Sequence, residues 1–267
     1  MAMFSIQYGA SVAKQLFPLA GAAGTTALRV SLSALILLVV AKVWKHKISW
    51  RSVPMIAAYG ASLGCMNLLF YFALEKIPLG IAVALEFTGP LAVALLSSKK
   101  IVDLIWALLA AMGIYLILPL TPNNSNLDVM GVIFALGAGL FWGLYIVFGK
   151  SAAKSGNSLQ VTAWGMAFAA MVTVPFGVLL NGSQIADVSL LPMGILVAIL
   201  SSALPYSLEM KALRNLPMKS FGILMSLEPV VATLMGFLFL QESLSFHQWI
   251  AIVCVMLASA GSTISHR

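Results

Sequence analysis

The chain has 267 residues, of which 61% are hydrophobic and 9% charged, whereas soluble globular domains carry about 25% charged residues. With a mean hydropathy of +1.02, eight acidic and fifteen basic side chains are too few to cover the surface of a soluble protein of this size. The composition excludes a soluble domain and a disordered chain, and it predicts a polytopic membrane protein. The net charge of +7 does not indicate nucleic-acid binding, because Lys and Arg occur singly or in pairs between apolar runs.

The apolar runs predict membrane-spanning helices. A helix needs about 20 apolar residues to cross about 30 Å of hydrocarbon, and lipid cannot satisfy an open backbone. Cutting the sequence at charges, prolines and polar clusters predicts nine such helices. They cover residues 25–41, 53–74, 79–96, 101–120, 129–148, 159–180, 190–213, 220–240 and 246–264. An earlier apolar run, residues 1–12, is too short to span alone and would be a short first helix of ten.

The distribution of basic residues predicts the orientation of the helices. If ten helices cross and the N-terminus is cytoplasmic, twelve basic residues fall on inner connections. They are Lys42, Lys45, Lys47, Arg51, Lys99, Lys100, Lys150, Lys154, Lys211, Arg214, Lys219 and Arg267. The outer connections hold two, Lys14 and Lys76, beside the amides and acids Asn123, Asn124, Asn126, Asp128, Asp187 and Glu242. This asymmetry follows the positive-inside rule and places the C-terminus in the cytoplasm. If residues 1–12 do not insert, nine helices remain and the N-terminus changes side.

An internal repeat of about 139 residues divides the chain into units 1–124 and 125–267. Pro78 and Pro90 correspond to Pro217 and Pro229 at this offset, and the motif around Lys14 recurs around Lys154. Each unit then holds five helices, and an odd number inverts the second unit relative to the first. Inverted repeats are common in secondary transporters, so transport is the leading hypothesis. A duplication in a structural membrane protein is the alternative.

Small residues recur at every fourth position in two of the predicted helices. One row is Gly80, Ala84, Thr88 and Ala92, and the other is Gly131, Ala135, Gly139 and Gly143. Such rows allow close contact between helix backbones. They serve either static packing or the sliding of helices during a conformational change.

Charges deep in a span cost roughly 2.5 to 3.5 kcal/mol each on insertion scales, and three positions carry one: Glu86, Glu228 and Arg29. In the common frame of the repeat, Glu86 and Glu228 lie three residues apart, on one helical face. We therefore expect both carboxylates to face the axis between the two units. Prolines close to both glutamates free backbone carbonyls that could bind a cation or an ammonium group.

Two carboxyl groups in one dry site repel each other and exchange protons readily. We expect Glu86 to bind a proton or a substrate ammonium in competition, while Glu228 shares this role or pairs with Arg29. The alternative is that the acids only lock the packing. Arg29 could bind a substrate carboxylate in a bidentate manner, or snorkel outward, because its predicted position is in the outer part of its span. Glu209 is interpreted as an interfacial charge beside Lys211.

Further polar side chains are expected to line the same site. They are Gln7, Tyr8, Asn67, Trp142, Tyr145, Ser201, Ser202 and Tyr206, of which Asn67 and Tyr145 could bind a substrate hydroxyl. No nucleotide-binding loop or catalytic constellation is present in the sequence. His46, His247 and His266 lack metal-ligand spacing. We therefore expect no metal, no cofactor and no enzymatic activity.

Three stretches carry a family resemblance: residues 78–98 (PLGIAVALEFTGPLAVALLSS), 198–210 (AILSSALPYSLEM) and 221–229 (FGILMSLEP). With the five-plus-five pattern, they resemble the drug/metabolite transporter superfamily, EamA type, and within it bacterial inner-membrane exporters of threonine and homoserine. The resemblance covers essentially the whole chain. The first helix of that family normally begins upstream, so that residues 1–12 correspond to its last part.

The resemblance implies a ten-helix carrier in the bacterial inner membrane that exports small hydrophilic amino acids in exchange for protons, as a monomer or homodimer. A carrier of another metabolite or drug of the same superfamily is the alternative. The expected partners are the amino acid, the proton and the lipid bilayer, without nucleic acid.

Overall fold

The computed structural model describes residues 2–45, 48–96, 102–117, 127–215 and 225–265, and these residues form an all-helical bundle. In chain order the helices are α1 (Ala2–Lys14), α2 (Phe17–Val40), α3 (Val53–Leu74), α4 (Leu79–Glu86), α5 (Thr88–Leu96), α6 (Val102–Ile117), α7 (Val129–Ala152), α8 (Ser158–Ile185), α9 (Leu191–Ala198), α10 (Leu204–Asn215), α11 (Glu228–Leu240) and α12 (Phe246–Ser265). Several residues used above lie outside the described ranges: His46, Lys47, Lys99, Lys100, Asn123, Asn124, Asn126, Pro217, Lys219, His266 and Arg267.

Five of the described segments are long and apolar enough to cross a membrane: Phe17–Val40, Trp50–Leu74, Val129–Ser155, Ser158–Gly182 and Val188–Ala212. Four shorter apolar helices accompany them: Leu79–Val93, Ile105–Leu116, Glu228–Leu240 and Phe246–Gly261. Large apolar side chains on several helices face outward, among them Leu35, Leu108, Leu140, Leu179 and Phe237, each at least 60% exposed. Such surfaces are stable in lipid rather than in water. The chain is therefore a multi-pass helical membrane protein.

The helices depart from the sequence-based prediction in three places for identifiable reasons: one helix begins earlier, and two are interrupted. Helix α2 begins eight residues before the predicted start at Thr25, because Pro18 suits the first turn of a helix and Gly21 takes up the bend with φ of 65°. The predicted helix 79–96 is broken after Glu86 into α4 and α5. The predicted helix 190–213 is interrupted by a π-helical turn, Ile199–Ala203, between α9 and α10.

Both interruptions, the break after Glu86 and the π-helical turn Ile199–Ala203, lie close to a proline. Pro90 has no N–H, so the carbonyl of Glu86 loses its usual donor in the next turn, at the break between α4 and α5. Pro205 likewise removes the α-helical donor of the Ser201 carbonyl, inside the π-helical turn, and this oxygen accepts a hydrogen bond from Arg29 instead. Both freed carbonyls lie close to the bundle interior, since Ser201 is buried and Glu86 is 7% exposed.

Helices of the two predicted units pack against each other in a regular pattern. Helix α2 packs mainly on α8, α6 on α12, and α4 on α11. Helix α3 also packs on α7, while α1 packs on the segment from α9 to α10. The core between these helices is formed by small and large apolar side chains, including Leu79, Ile81 and Leu85 of α4.

Two glycines, Gly89 of α5 and Gly139 of α7, allow these helices to approach each other closely. A Cβ atom built on Gly89 would lie 1.7 Å from the carbonyl oxygen of Gly139. A Cβ on Gly139 would lie 2.6 Å from the carbonyl oxygen of Glu86. Gly139 belongs to the second predicted small-residue row, whereas Gly89 belongs to neither row and Gly80 of the first row lies against Thr233 of α11. The contact at Gly139 places Glu86 against α7.

Replacement of Gly139 by valine is expected to destabilise the bundle. The added side chain must push α7 away from the backbone of Glu86, and overpacking of this kind costs about 1–3 kcal/mol. Thermal unfolding in detergent should show a lower melting temperature. Gly156→Ala is the matched control, because nothing lies within 4 Å of a Cβ atom at Gly156. Equal melting temperatures for the two variants would contradict the close contact.

The N-terminus of α7 is capped by Asp128. Its carboxylate accepts hydrogen bonds from the N–H groups of Met130 and Gly131 at 2.7 and 3.2 Å and pairs with Lys76 at 3.2 Å. The Lys76 ammonium and these N–H groups lower the pKa of the Asp128 carboxyl. The ends of α3 and α7 are thereby joined on the side of the bundle that the sequence assigns to the outer connections.

Candidate functional site

A polar cavity lies among the helices, where α4 is broken and α11 begins. The residues that line it are Ile6, Gln7, Ala10, Arg29, Met66, Asn67, Phe70, Tyr71, Glu86, Trp142, Tyr206, Glu209 and Glu228. They come from both predicted units. Of these residues, Arg29 carries a positive charge and Glu86, Glu209 and Glu228 carry acidic groups. The three glutamates and the arginine are each less than 8% exposed.

Arg29 is held inside the bundle by neutral partners. Its Nη1 donates to the carbonyl and the hydroxyl oxygen of Ser201 at 3.0 and 3.1 Å, and its Nη2 donates to Oδ1 of Asn67. The guanidinium lies 4.4 Å from the ring centroid of Tyr71, a cation–π contact. The snorkelling interpretation is therefore wrong, since Arg29 is 2% exposed. The Ser201 carbonyl that receives it is the one freed by Pro205.

Asn67 connects Arg29 to Tyr206. Its Oδ1 also accepts a hydrogen bond from the Tyr206 hydroxyl at 2.9 Å, and its Nδ2 donates to the carbonyl of Leu63 at 2.8 Å. Because its oxygen already has two donors, Asn67 serves to orient Arg29 and Tyr206. Because the Asn67 amide already makes these hydrogen bonds, the geometry disfavours the expectation that Asn67 binds a substrate hydroxyl.

Glu228 lies in the first turn of α11, where the helix dipole favours a negative charge. Gln7 of α1 donates from Nε2 to Oε1 of Glu228 at 3.0 Å. The other carboxylate oxygen, Oε2, is buried without a hydrogen-bond partner in the described part of the chain, as are Oε1 of Gln7 and Nε of Arg29. Buried polar atoms of this kind are costly, and here they supply both an acceptor and a donor for a bound molecule.

Glu86 is the last residue of α4 and lines the same cavity. No hydrogen bond to its carboxylate is recorded from the described residues. Within the described ranges, the ion pairs join other residues, Lys14 to Glu242 and Lys76 to Asp128. The alternative in which Glu228 pairs with Arg29 is therefore not seen.

Two sequence-based assignments need correction or relocation. Glu209 was interpreted as an interfacial charge, but it is 5% exposed, lines the cavity, and accepts a hydrogen bond from the Tyr145 hydroxyl at 3.3 Å. Its spacing of three residues from Tyr206 was the available signal, because such residues share a helical face. Tyr8 lies outside the cavity: it is 37% exposed and its ring packs on Phe239 at 4.9 Å. Adjacent side chains on a helix point in different directions, roughly 100° apart, and here Gln7 faces the cavity while Tyr8 faces outward.

The remaining predicted residues surround the site. Tyr145 lies beside Tyr59 and Tyr206, with ring centroids 5.1 and 6.1 Å apart, and Trp142 contacts Phe87 edge-on at 5.4 Å. The described residues contain no group of three or more His, Cys, Asp and Glu side chains that could hold a metal ion. The cavity thus offers one guanidinium, three carboxyl groups and aromatic walls.

A second polar cluster closes one end of the bundle near the cavity. Lys14, the last residue of α1, pairs with Oε1 of Glu242 at 2.7 Å. Oε2 of Glu242 accepts a hydrogen bond from the N–H of Leu79 at 2.8 Å and so caps α4. One carboxylate therefore joins α1, α4 and the connection between α11 and α12.

Glu242→Ala is expected to lower the melting temperature by roughly 4 °C or more, because it removes a helix cap and a half-buried ion pair together. Asp128→Asn is the matched control: asparagine caps a helix as well as aspartate does, and the lost ion pair with Lys76 is exposed. It should leave the melting temperature unchanged. A Glu242→Ala variant as stable as the control would contradict the joining role of this carboxylate.

A multi-pass helical bundle with a charged, mostly buried cavity among its helices is the architecture of a membrane carrier. The model of the EamA-like transporter family matches residues 129–264, and the chain belongs to this family. It is 49% identical over its full length to the threonine/homoserine exporter RhtA of Escherichia coli K12 and of Salmonella typhimurium LT2, and covers 90% of each.

More distant similarities agree with this assignment. An uncharacterized transporter of Bacillus subtilis, YwfM, is 27% identical over 79% of this chain and 73% of its own length. A solved crystal structure aligns with a TM-score of 0.61 over 98% of both chains, at 17% identity, and so shares the fold. The named relatives are transporters, and the chain is accordingly a transporter and not an enzyme.

Proposed function

We propose that this protein exports small hydroxy amino acids such as threonine and homoserine across the bacterial inner membrane in exchange for protons. The observation that carries the proposal is one cavity that holds a guanidinium, carboxyl groups and buried polar atoms for which the described residues provide no partner. A zwitterionic amino acid needs a cation for its carboxylate and an anion for its ammonium group. The 49% identity to the threonine/homoserine exporters supports the choice of substrate.

Each part of the substrate has a matching group in the cavity. Arg29 would bind the carboxylate through its Nε, which has no hydrogen-bond partner among the described residues, while Nη1 and Nη2 donate to Ser201 and Asn67. Glu228 and Glu86 would bind the ammonium group. The amide oxygen of Gln7, which has no partner in the described part of the chain, would accept a hydroxyl or ammonium hydrogen. The cavity binds the substrate by these pairings, and its aromatic walls exclude larger polar solutes.

Proton exchange would follow from competition at Glu86 and Glu228. When the ammonium group leaves to the outside, a proton takes its place on a carboxylate. When the site opens to the inside, the proton leaves and the next amino acid binds. Because the proton and the ammonium group compete for the same carboxylate oxygens, binding of one displaces the other, and this competition couples their opposite movements.

Alternating access would be provided by two inverted units, residues 1–124 and 125–267. The packing supports this arrangement. In the proposed repeat α1 corresponds to α7 and α3 to the α9–α10 segment, so the contact of α3 with α7 has the contact of α1 with the α9–α10 segment as its counterpart. The pairs α2 with α8 and α6 with α12 each join a helix to its own counterpart. Ten crossings with both termini in the cytoplasm are consistent with the joined ends of α1, α3, α4 and α7 on one side.

Counterflow of labelled threonine in proteoliposomes, with and without an imposed pH gradient, tests the proposal. Without a pH gradient, we expect labelled threonine to exchange with unlabelled threonine. With a pH gradient, we expect net movement of threonine in the direction opposite to the flow of protons. Homoserine should compete and a nucleoside should not. Exchange of threonine without any response to the pH gradient would disprove proton antiport, and absence of threonine exchange would favour a carrier of another metabolite.

A further inference from the structure

The cavity contains a third carboxyl group, that of Glu209, in addition to Glu86 and Glu228, which the proposed exchange of amino acid and proton uses. Glu209 of α10 lies one turn after Tyr206, is 5% exposed, and lines the cavity together with Glu86 and Glu228. The Tyr145 hydroxyl donates to its Oε2 at 3.3 Å.

The charged and titratable groups around Glu209 come from every neighbouring part of the site. They are Arg29 of α2, Tyr59 of α3, Glu86 of α4, Tyr145 of α7, Tyr206 of α10 and Glu228 of α11. If all three glutamates were ionised, Arg29 would leave two negative charges uncompensated in a buried cavity. Low polarity does not sustain such a charge, so the glutamates must hold protons between them. A zwitterion brings no net charge and does not remove this requirement.

Glu209 differs from Glu86 and Glu228 in its hydrogen-bond partner. Its Oε2 accepts a hydrogen bond from Tyr145, whose ring lies beside those of Tyr59 and Tyr206. Lys211 and Arg214 follow on the same helix and are exposed, so Glu209 lies towards the end of α10 that the proposed topology assigns to the cytoplasm.

We propose that Glu209 is a proton-only group that passes the proton from Glu86 and Glu228 to the cytoplasmic end of α10 and does not contact the amino acid. Each transfer breaks one O–H bond on the donor carboxyl and forms one on the acceptor carboxylate, directly or through a hydroxyl or water. No oxidation or other reactant is involved. The inference rests on the proposed proton antiport.

Glu209→Gln tests the assignment in proteoliposomes. The variant should retain threonine counterflow within about twofold of the wild type, while transport driven by a pH gradient falls at least about tenfold. Glu86→Gln should impair both assays through weaker threonine binding, and Glu75→Gln, at an exposed position after α3, should impair neither. Threonine counterflow does not need net proton movement, so the two assays separate substrate binding from proton transfer.

The outcomes are distinguishable. A folded Glu209→Gln variant that keeps gradient-driven transport, or one that loses counterflow as well, overturns the proton-only role. A wild-type protein without gradient-driven transport overturns the proposed antiport instead. If Glu209→Gln is not recovered as a monodisperse protein, Glu209→Asp decides. It keeps an ionisable group and should retain counterflow with a shifted pH dependence of gradient-driven transport, and an unshifted profile overturns the assignment.

Discussion

Replacing Glu86 or Glu228 by glutamine is expected to lower the apparent affinity for threonine roughly 10- to 100-fold, the effect of losing a hydrogen bond to a charged group. Both carboxylates line the cavity, and Oε2 of Glu228 is buried without a partner in the described residues. Glutamine keeps the size of the side chain but cannot bind an ammonium group as an anion or exchange a proton. Counterflow at increasing threonine concentrations measures the change.

The pH dependence of counterflow separates the binding role from a packing role. In the wild type, excess protons should compete with threonine, so that the apparent affinity weakens as the pH falls. In the two glutamine variants this competition should be reduced. Glu75→Gln is the matched control, since Glu75 is exposed. If Glu86→Gln retains the pH dependence of the wild type, Glu86 is a buried acid that serves packing alone.

Replacing Arg29 by lysine is expected to weaken threonine binding at least about tenfold, although the charge is kept. Lysine lacks the planar fork that reaches Ser201 and Asn67 and stacks on Tyr71, so the exchange is not conservative at this site. Arg29→Ala would in addition leave these acceptors unpaired in the interior, and we expect it to destabilise the bundle.

Competition by threoninol, which lacks the carboxylate, shows whether Arg29 contacts the substrate. The wild type should prefer threonine to threoninol strongly, and Arg29→Lys should reduce this preference. A structural role alone would lower the activity for both compounds and leave their ratio unchanged. An unchanged ratio would therefore place the carboxylate elsewhere, for example at the N-terminus of α11.

The sequence predicts the membrane class, most helix positions and most of the polar residues that line the cavity, but not Glu209. Polar groups in apolar runs are expensive and therefore few, and this identifies Glu86, Glu228, Arg29, Asn67, Tyr206 and Gln7. Tyr145 was also selected, and it contacts the cavity through Glu209. The fragmentation of 79–96 and 190–213 was not predicted, although Pro90 and Pro205 were visible.

The sequence alone thus determines hydropathy, charge asymmetry and the repeat. Hydropathy and charge asymmetry reflect the transfer of residues between water and lipid, and the repeat is a similarity along the sequence. Which polar groups pair was decided by the tertiary structure, because helix faces and the rotation of each helix are set by packing against neighbours. Arg29 faces the Ser201 carbonyl rather than Glu228, Tyr8 faces outward while Gln7 faces inward, and Glu209 is buried beside Tyr145. These choices depend on close contacts such as that of Gly89 with Gly139, which no local pattern determines.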